Sequence, residues 1–294
     1  MTIIGIGVQS ALQAILFATD FSRSAERAGR FLTGVARHCS SRILLLHVLD
    51  PSAVLHVKDT QKEGGTPRQD AEARLAILAT QLNAEQIETE AILRAAHDPV
   101  EEILAVSRGR KADLIVIGTR GLGPLRRLTL GSVAQQLIHK AESPAFTVGP
   151  QVKAPPLEYR FQRIVCATDF TGEATTAVNF ALSFAQSYQA HMYLCHVLPR
   201  PDSGNTLDTQ ELNEKFKTEL QRLIPGMARD WCDPECVLDH GYAVDGILLL
   251  AKRVRADLIV LGARRLSHWF GGVREGIAYE VIRKADCPVL TVRK

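Results

Sequence analysis

AILFATDFS at residues 14–22 returns as RIVCATDFT at residues 163–171, and ADLIVIGTR at residues 112–120 returns as ADLIVLGAR at residues 256–264. Such self-similarity within one chain indicates two copies of a single structural unit. The length agrees with this, because 294 residues make about two ordinary domains and each half can bury its own core. The sequence therefore predicts a tandem repeat.

Short apolar runs alternate with helical patterns along each copy. The runs predict five strands in the first half, at Ile15–Ala18, Ile43–Val48, Ile87–Leu93, Leu114–Ile117 and Ala145–Val148. Four helices are predicted between them, at Ser24–His38, Arg68–Leu82, Pro99–Ser107 and Ser132–Ala141. The second half repeats the strands near Ile164–Ala167, His191–Val197, Cys236–Leu238, Leu258–Leu261 and Val289–Val292. Apolar strands joined by helices are typical of a doubly wound α/β unit with a parallel sheet.

The join between the copies is rich in proline, which predicts an extended connection over Gly149–Pro156. We place the first domain at residues 1–149, a linker at residues 150–160 and the second domain at residues 161–294. The last strand of each copy is an apolar edge that would favour aggregation if exposed. We expect the two last strands to pair within the chain as an intrachain pseudo-dimer; the alternative is that each pairs with a second chain in a homodimer.

Composition excludes several classes of protein. With 46% hydrophobic and 23% charged residues, the chain has the composition of a globular protein and no apolar run long enough for a membrane helix. A net charge of +3 without a basic stripe argues against nucleic-acid binding. The opening residues lack a basic segment before their apolar run, so we expect no signal peptide and a cytoplasmic location.

The six cysteines predict buried apolar side chains, since Cys166, Cys195 and Cys287 fall on or beside predicted strands. Cys232, Cys236 and His240 lie close in sequence, but their spacing differs from that of a zinc knuckle and no second pair follows. The sequence therefore predicts no metal site.

Polar residues and glycines follow two strands whose carboxyl ends should be neighbours. Ala18-Thr19-Asp20 ends the first strand, and Gly118-Thr119-Arg120-Gly121 ends the fourth. Ligands of open parallel sheets bind at such carboxyl ends, where the winding direction reverses. Asp20 either accepts hydrogen bonds from a ligand such as a ribose or only caps the following helix.

The glycine loop continues to Gly131-Ser132, which opens the fourth predicted helix. Glycines let a backbone approach phosphate, and free N–H groups at a helix N-terminus favour an anion. The alternative is an ordinary turn with a serine N-cap. The loop has neither the ending of a Walker motif nor the third glycine of a dinucleotide fingerprint.

ATDFS, the LLHV strand end and the G-x2-G-x9-G-S spacing together resemble the universal stress protein family over nearly the whole chain, as a tandem pair. The resemblance implies an adenine-nucleotide α-hydrolase-like fold that binds ATP or a related adenine nucleotide, with or without Mg²⁺. The implied phosphate contacts are Gly118, Arg120, Gly121, Gly131, Ser132 and Val133. The implied nucleoside contacts are Ala18, Thr19, Asp20 and Val48, and the site also includes Ile117.

The second half departs from this pattern. Arg265 stands at the position of Gly121, and Glu275-Gly276 aligns with Gly131-Ser132. A carboxylate would then lie where phosphate belongs, so we expect a degenerate phosphate loop and a structural or regulatory role for this half.

The resulting functional hypothesis is nucleotide-dependent signalling or stress tolerance. No catalytic residue is predicted, and hydrolysis should be slow at most, because the sequence lacks a Walker lysine and a paired acidic metal site. Two alternatives stay open. One is an interaction or scaffold protein of the same fold that binds no nucleotide. The other is an adenine-nucleotide α-hydrolase-type enzyme, for which the recurring His47 and His196 supply no nucleophile.

Overall fold

The computed structural model describes residues 12–52, 66–119, 130–156, 159–200, 206–263 and 276–293, with the side chains of residues 206–209 left aside. These residues form two compact units. The first holds the described residues up to Pro150, and the second holds those from Arg160 onward.

The first unit is a parallel sheet with strand order β3-β2-β1-β4-β5. Its elements in chain order are β1 (Ala14–Ala18), α1 (Arg23–Cys39), β2 (Arg42–Leu49), α2 (Pro67–Ala84), β3 (Thr89–Ala95), α3 (Pro99–Arg110), β4 (Leu114–Gly118), α4 (Ser132–Lys140) and β5 (Ala145–Val148). Because β1 lies between β2 and β4, the winding direction reverses there. The predicted doubly wound fold is confirmed.

The second unit repeats this topology with strand order β10-β9-β6-β7-β8. Its elements are β6 (Arg163–Ala167), α5 (Gly172–Tyr188), β7 (His191–Leu198), α6 (Thr206–Arg222), a 3₁₀ turn (Gly226–Asp230), β8 (Glu235–His240), α7 (Ala243–Val254), β9 (Leu258–Gly262), α8 (Ile277–Lys284) and β10 (Val289–Val292). The tandem repeat expected from the sequence is thereby confirmed at the level of the fold.

Local sequence explains where the elements begin and end. Ser22 and Thr171 cap α1 and α5, accepting hydrogen bonds from the N–H groups three residues later. Asp98 caps α3 by accepting from the N–H groups of Val100 and Glu101 at 2.9 and 3.2 Å. These caps fix the helix starts that follow the carboxyl ends of β1, β6 and β3.

The third strand begins two residues later than predicted, at Thr89. Gln86 takes a left-handed backbone conformation, with φ of 62°, and the N–H of Ile87 donates to the carbonyl oxygen of Leu82. Buried Ile87 therefore closes the turn after α2 and does not join the sheet. In the part of the chain that the structure describes, no helix is both long and apolar enough to cross a membrane.

Candidate functional site

The carboxyl ends of β1, β2 and β4 surround a cavity of about 260 Å³ in the first unit. Nine of the eleven predicted site residues line it: Ala18, Thr19, Asp20, Val48, Ile117, Gly118, Gly131, Ser132 and Val133. Arg120 and Gly121 lie outside the described residues. The structure thus brings the described site residues together at the place where the winding direction reverses. Their role in binding stays a prediction.

Other lining residues were not selected from the sequence. Helix α3 contributes Pro99 and Ile103, β2 contributes Leu46 and His47, and Thr119 follows β4. The recurrence of His47 in the second copy was a sequence signal for that position. Nothing in the sequence indicated Pro99 or Ile103, because only the packing of α3 beside β2 brings the first turns of α3 to the cavity.

Gly118 has a role in packing that is independent of any ligand. A Cβ built on this residue would stand 2.5 Å from the carbonyl carbon of Ser24 and 2.6 Å from the nitrogen of Ala25. Gly262, its counterpart in the second unit, would place a Cβ 2.7 Å from the nitrogen of Ala174. In each unit the glycine therefore lets the first turn of a helix pack directly on the end of a central strand.

Backbone hydrogen bonds hold together the two ends of the predicted glycine loop. The N–H and Oγ1 of Thr119 both donate to the carbonyl oxygen of Val148, at 3.2 and 3.0 Å. The carbonyl oxygen of Thr119 in turn accepts from the N–H of Gly131 at 2.7 Å. Gly118 and Gly131 are therefore held near each other at the edge of the cavity.

The N-terminus of α4 opens onto this cavity without a capping side chain. The N-cap residue is Gly131, with φ of −63° and ψ of 148°, and no side chain makes a cap hydrogen bond. Ser132 is the first helical residue and is exposed. The alternative of a serine N-cap is therefore wrong. The helix presents its first N–H groups and the positive end of its dipole toward the cavity side.

Asp20 shapes the turn that leads into α1. Its Oδ1 accepts from the N–H of Ser22 at 3.0 Å, and Thr19 Oγ1 accepts from the N–H of Phe21 at 3.0 Å. The N-cap of α1 is Ser22. Asp20 is therefore not the helix cap itself, but its half-buried carboxylate stabilises the turn before α1 and also lies at the cavity wall.

The recurring histidines hold the same turn in both units. His47 Nδ1 lies 2.7 Å from the carbonyl oxygen of Thr19, and His196 Nδ1 lies 2.7 Å from that of Thr168. Because a carbonyl oxygen only accepts, Nδ1 carries the hydrogen and Nε2 of the neutral ring is an acceptor. Each ring also packs on a phenylalanine in left-handed conformation, with centroids 4.5 Å apart for Phe21 and His47.

The second unit has an equivalent cavity of about 100 Å³. It is lined by Ala167, Thr168, Asp169, Val197 and Gly262, the counterparts of first-unit site residues. Beside it, α7 packs tightly on the end of β7, since a Cβ on Gly246 would stand 2.8 Å from Val197 Cγ2. A closely packed helix α7 therefore borders the smaller cavity.

Helix α8 changes one expectation about this second cavity. Its N-cap is Gly276, with φ of −67° and ψ of 162°, and the carbonyl oxygen of Gly276 accepts from Glu280 N–H as that of Gly131 does from Gln135 N–H. Gly276 thus takes the structural place of Gly131, which alignment of the two copies without a gap assigns to Glu275. Glu275 and Arg265 lie outside the described residues, so the degenerate loop stays a prediction.

The thiols lie in apolar surroundings. Burial raises the pKa of Cys39, Cys195, Cys232 and Cys287 to about 12, and it also raises the pKa of Cys166 well above its usual value. Within the residues described, no group of three or more His, Cys, Asp or Glu side chains is arranged to hold a metal ion.

Comparison with known proteins decides the family. The model of the universal stress protein family matches residues 12–149 and again residues 160–293. This chain belongs to the universal stress protein family. A universal stress protein of Mycolicibacterium smegmatis is 25% identical over 97% of this chain and 99% of its own length. One from Thermus aquaticus is 32% identical over 46% of this chain and 98% of its own length.

The solved structures agree on the fold. A universal stress protein from Archaeoglobus fulgidus superposes with a TM-score of 0.70 at 22% identity, over 95% of this chain and 98% of that chain. The matches to the Mycolicibacterium smegmatis and Archaeoglobus fulgidus proteins therefore cover both units of this chain and nearly the full length of those two proteins.

Proposed function

We propose that this tandem universal stress protein binds ATP or a related adenine nucleotide in the cavity of its first unit. The role would be signalling or stress tolerance in the cytoplasm, with the second unit as a structural or regulatory partner. Residues 1–149 and 161–294 would be the two domains, joined by the linker at residues 150–160.

The observation that carries this proposal is the uncapped N-terminus of α4 at a cavity that also contains Asp20. An anionic group fits the helix end, because free N–H groups and the helix dipole favour negative charge. The carboxylate of Asp20, which follows the neighbouring strand β1, is an acceptor that suits ribose hydroxyls. Asp20 and Gly131 both line the same cavity, so one ligand could meet both groups.

The rest of the cavity suits a nucleoside. Its lining is largely apolar, with Val48, Ile103 and Ile117 as walls, and pockets for small molecules typically combine such walls with a few polar groups. Phosphates would meet Gly118, Gly131 and Ser132, and adenine would meet the end of β2 at Val48. If Mg²⁺ accompanies the nucleotide, it would neutralise phosphate charge. The uncapped first turn of α4, which begins at Ser132, would supply N–H donors for those phosphates.

The proposal is tested by calorimetry with ATP, ADP and cAMP on the full chain. We expect one nucleotide per chain, and at least tenfold weaker binding in Gly131→Glu, which sets a carboxylate against phosphate. Gly276→Glu is the matched control in the second unit. No described atom lies within 4 Å of a Cβ at Gly276, so this control should fold and keep the affinity of the parent chain.

Unchanged ATP affinity in Gly131→Glu would refute the assignment of the phosphate site. If heating the purified chain releases no nucleotide and titration shows no heat with any of the three, the interaction-protein alternative replaces the proposal. Circular dichroism of both variants shows whether a loss of binding reflects the site or the fold.

A further inference from the structure

The first unit contains a second and larger cavity, and Thr19 is the one predicted site residue among its lining residues. It has a volume of about 550 Å³ and lies between α1 and α2, above β1. We call it the α1–α2 groove. Its floor is formed by the buried side chains of Phe17, Leu32 and Leu82, and its rim includes Ile77, a large apolar side chain that is 60% exposed. Such a volume and floor are typical of small-molecule sites.

Small residues keep the groove open. Gly29 lies in the middle of α1, where glycine weakens a helix, and a Cβ there would stand 3.4 Å from the ring of Phe17. The second copy has Val178 at the position of Gly29 and Leu182 at that of Thr33. Val178 is buried in its own unit. Larger, buried side chains therefore stand in the second copy at the two positions where Gly29 and Thr33 line the groove in the first.

One cation at the rim contacts Phe21 and has no ion pair with a carboxylate among the described residues. The guanidinium of Arg74 lies 4.4 Å from the ring centroid of Phe21, and its Nη2 is 3.4 Å from the carbonyl oxygen of Phe21. The acidic rim residues are already paired. Glu26 Oε1 lies 3.1 Å from Arg30 Nη2. Glu85 Oε2 lies 2.8 Å from Nη2 of Arg37, a residue just outside the groove.

We propose that the α1–α2 groove binds a medium-chain monocarboxylate. The hydrocarbon body lies on Phe17, Leu32 and Leu82, which removes apolar surface from water on both sides. The carboxylate pairs with Arg74 at the rim, where Phe21 holds the guanidinium in place. Charge complementarity selects this ligand class, because an amine or a neutral lipid would leave Arg74 without a partner.

The probe is sodium decanoate, titrated calorimetrically into the full chain without added nucleotide, because Thr19 and Ala25 line both this groove and the smaller cavity. In a series from butanoate to decanoate, affinity should rise about fourfold with each methylene that enters the groove. Decanoate should bind about two- to fivefold more tightly than decanol, as expected for an exposed ion pair.

Two variants and one control test whether decanoate binds in the α1–α2 groove. Gly29→Val copies the second unit and should weaken decanoate at least tenfold, whereas Arg74→Gln should remove the preference for decanoate over decanol. Arg68→Gln removes the same charge from the same helix but outside the groove, and it should bind like the parent. Absence of decanoate binding at millimolar concentration would overturn the proposal. Equal binding in a folded Gly29→Val, with an unchanged circular dichroism spectrum, would also overturn it.

Discussion

Replacing Gly118 by alanine tests the contact that positions the whole site. The new Cβ would stand 2.5 to 2.7 Å from backbone atoms of Ser24 and Ala25. Carbon atoms pack at about 3.5–4.0 Å, so the first turn of α1 must move by about 1 Å. Backbone cannot rotate away as a flexible side chain can, and overpacking of this kind typically costs about 1–3 kcal/mol.

The measurement is the free energy of unfolding from urea denaturation, followed by circular dichroism. We expect Gly118→Ala to lower it by about 1–3 kcal/mol, which corresponds to a decrease in Tm of roughly 2–4 °C per kcal/mol for a domain of this size. The displaced turn carries Ser22 and adjoins Asp20, so nucleotide binding should weaken in the same variant.

Two matched variants separate this effect from a general effect of the glycine-to-alanine change. Gly262→Ala repeats the clash in the second unit, at 2.7 Å from Ala174 nitrogen, and should destabilise that unit while nucleotide affinity in the first is kept. Gly109 lies in α3, and no atom of the described residues lies within 4 Å of a Cβ built there. Gly109→Ala should stabilise the chain by up to about 1 kcal/mol. If Gly118→Ala is as stable as the parent chain, the packing of α1 on β4 is not as described.

The remaining predictions concern chemistry. Burial raises the pKa of the thiols of Cys39, Cys195 and Cys287 to about 12. At pH 8 these thiols should therefore react with a disulfide reagent about a thousandfold more slowly in the native chain than in guanidinium. Complete labelling of the native chain within minutes would contradict this. Because the unfolded chain loses these protons near pH 9 and the native chain retains them, stability should fall as pH rises from 9 toward 12. Mg²⁺ should strengthen ATP binding without rapid turnover, and a phosphate-release rate of about 1–100 s⁻¹, as in kinases, would favour the enzyme alternative.

The fold was predictable because the signals that set it are local and occur twice. Apolar runs of strand length, separated by helical periodicity, determine both the elements and the parallel sheet. The start of the third strand was predicted wrongly because a single residue decides it. Gln86 in left-handed conformation moves the start of β3 to Thr89. This change leaves the hydrophobic pattern unaltered, so periodicity could not detect it.

The site was predictable where it follows strand ends and unpredictable where it depends on helix packing. Ala18, Asp20 and Gly118 follow β1 and β4, so parallel topology alone brings them together. Ile103 reaches the cavity only because α3 crosses from β3 to β4 at one particular depth. Nothing in the sequence indicated the α1–α2 groove. Gly29 alone indicates only a position that weakens a helix, and its role became apparent from the structure, where Phe17 lies beneath it.

Comparison of the two units separates residues that maintain the fold from those that can distinguish ligands. Thr19, His47 and Gly118 recur as Thr168, His196 and Gly262, and each pair makes the same contact in its own unit. Recurrence at these positions is therefore explained by the turn and the helix approach, and it is not by itself a sign of nucleotide binding.

Two replacements in the lining, of Leu46 by Cys195 and of Pro99 by Ala243, put smaller side chains around the second cavity, so they do not account for its smaller volume. Gly246 stands at the position of Glu102 and lets α7 pack closely on Val197, and we attribute the smaller volume to this approach. Differences of this kind change the shape of a cavity without changing the fold that carries it. Ligand selectivity between the units should therefore follow these positions.

Gly246→Glu, which copies the first unit, should move α7 away from Val197 and enlarge the second cavity. A crystal structure of that variant with an unchanged distance between α7 and β7 would refute this account.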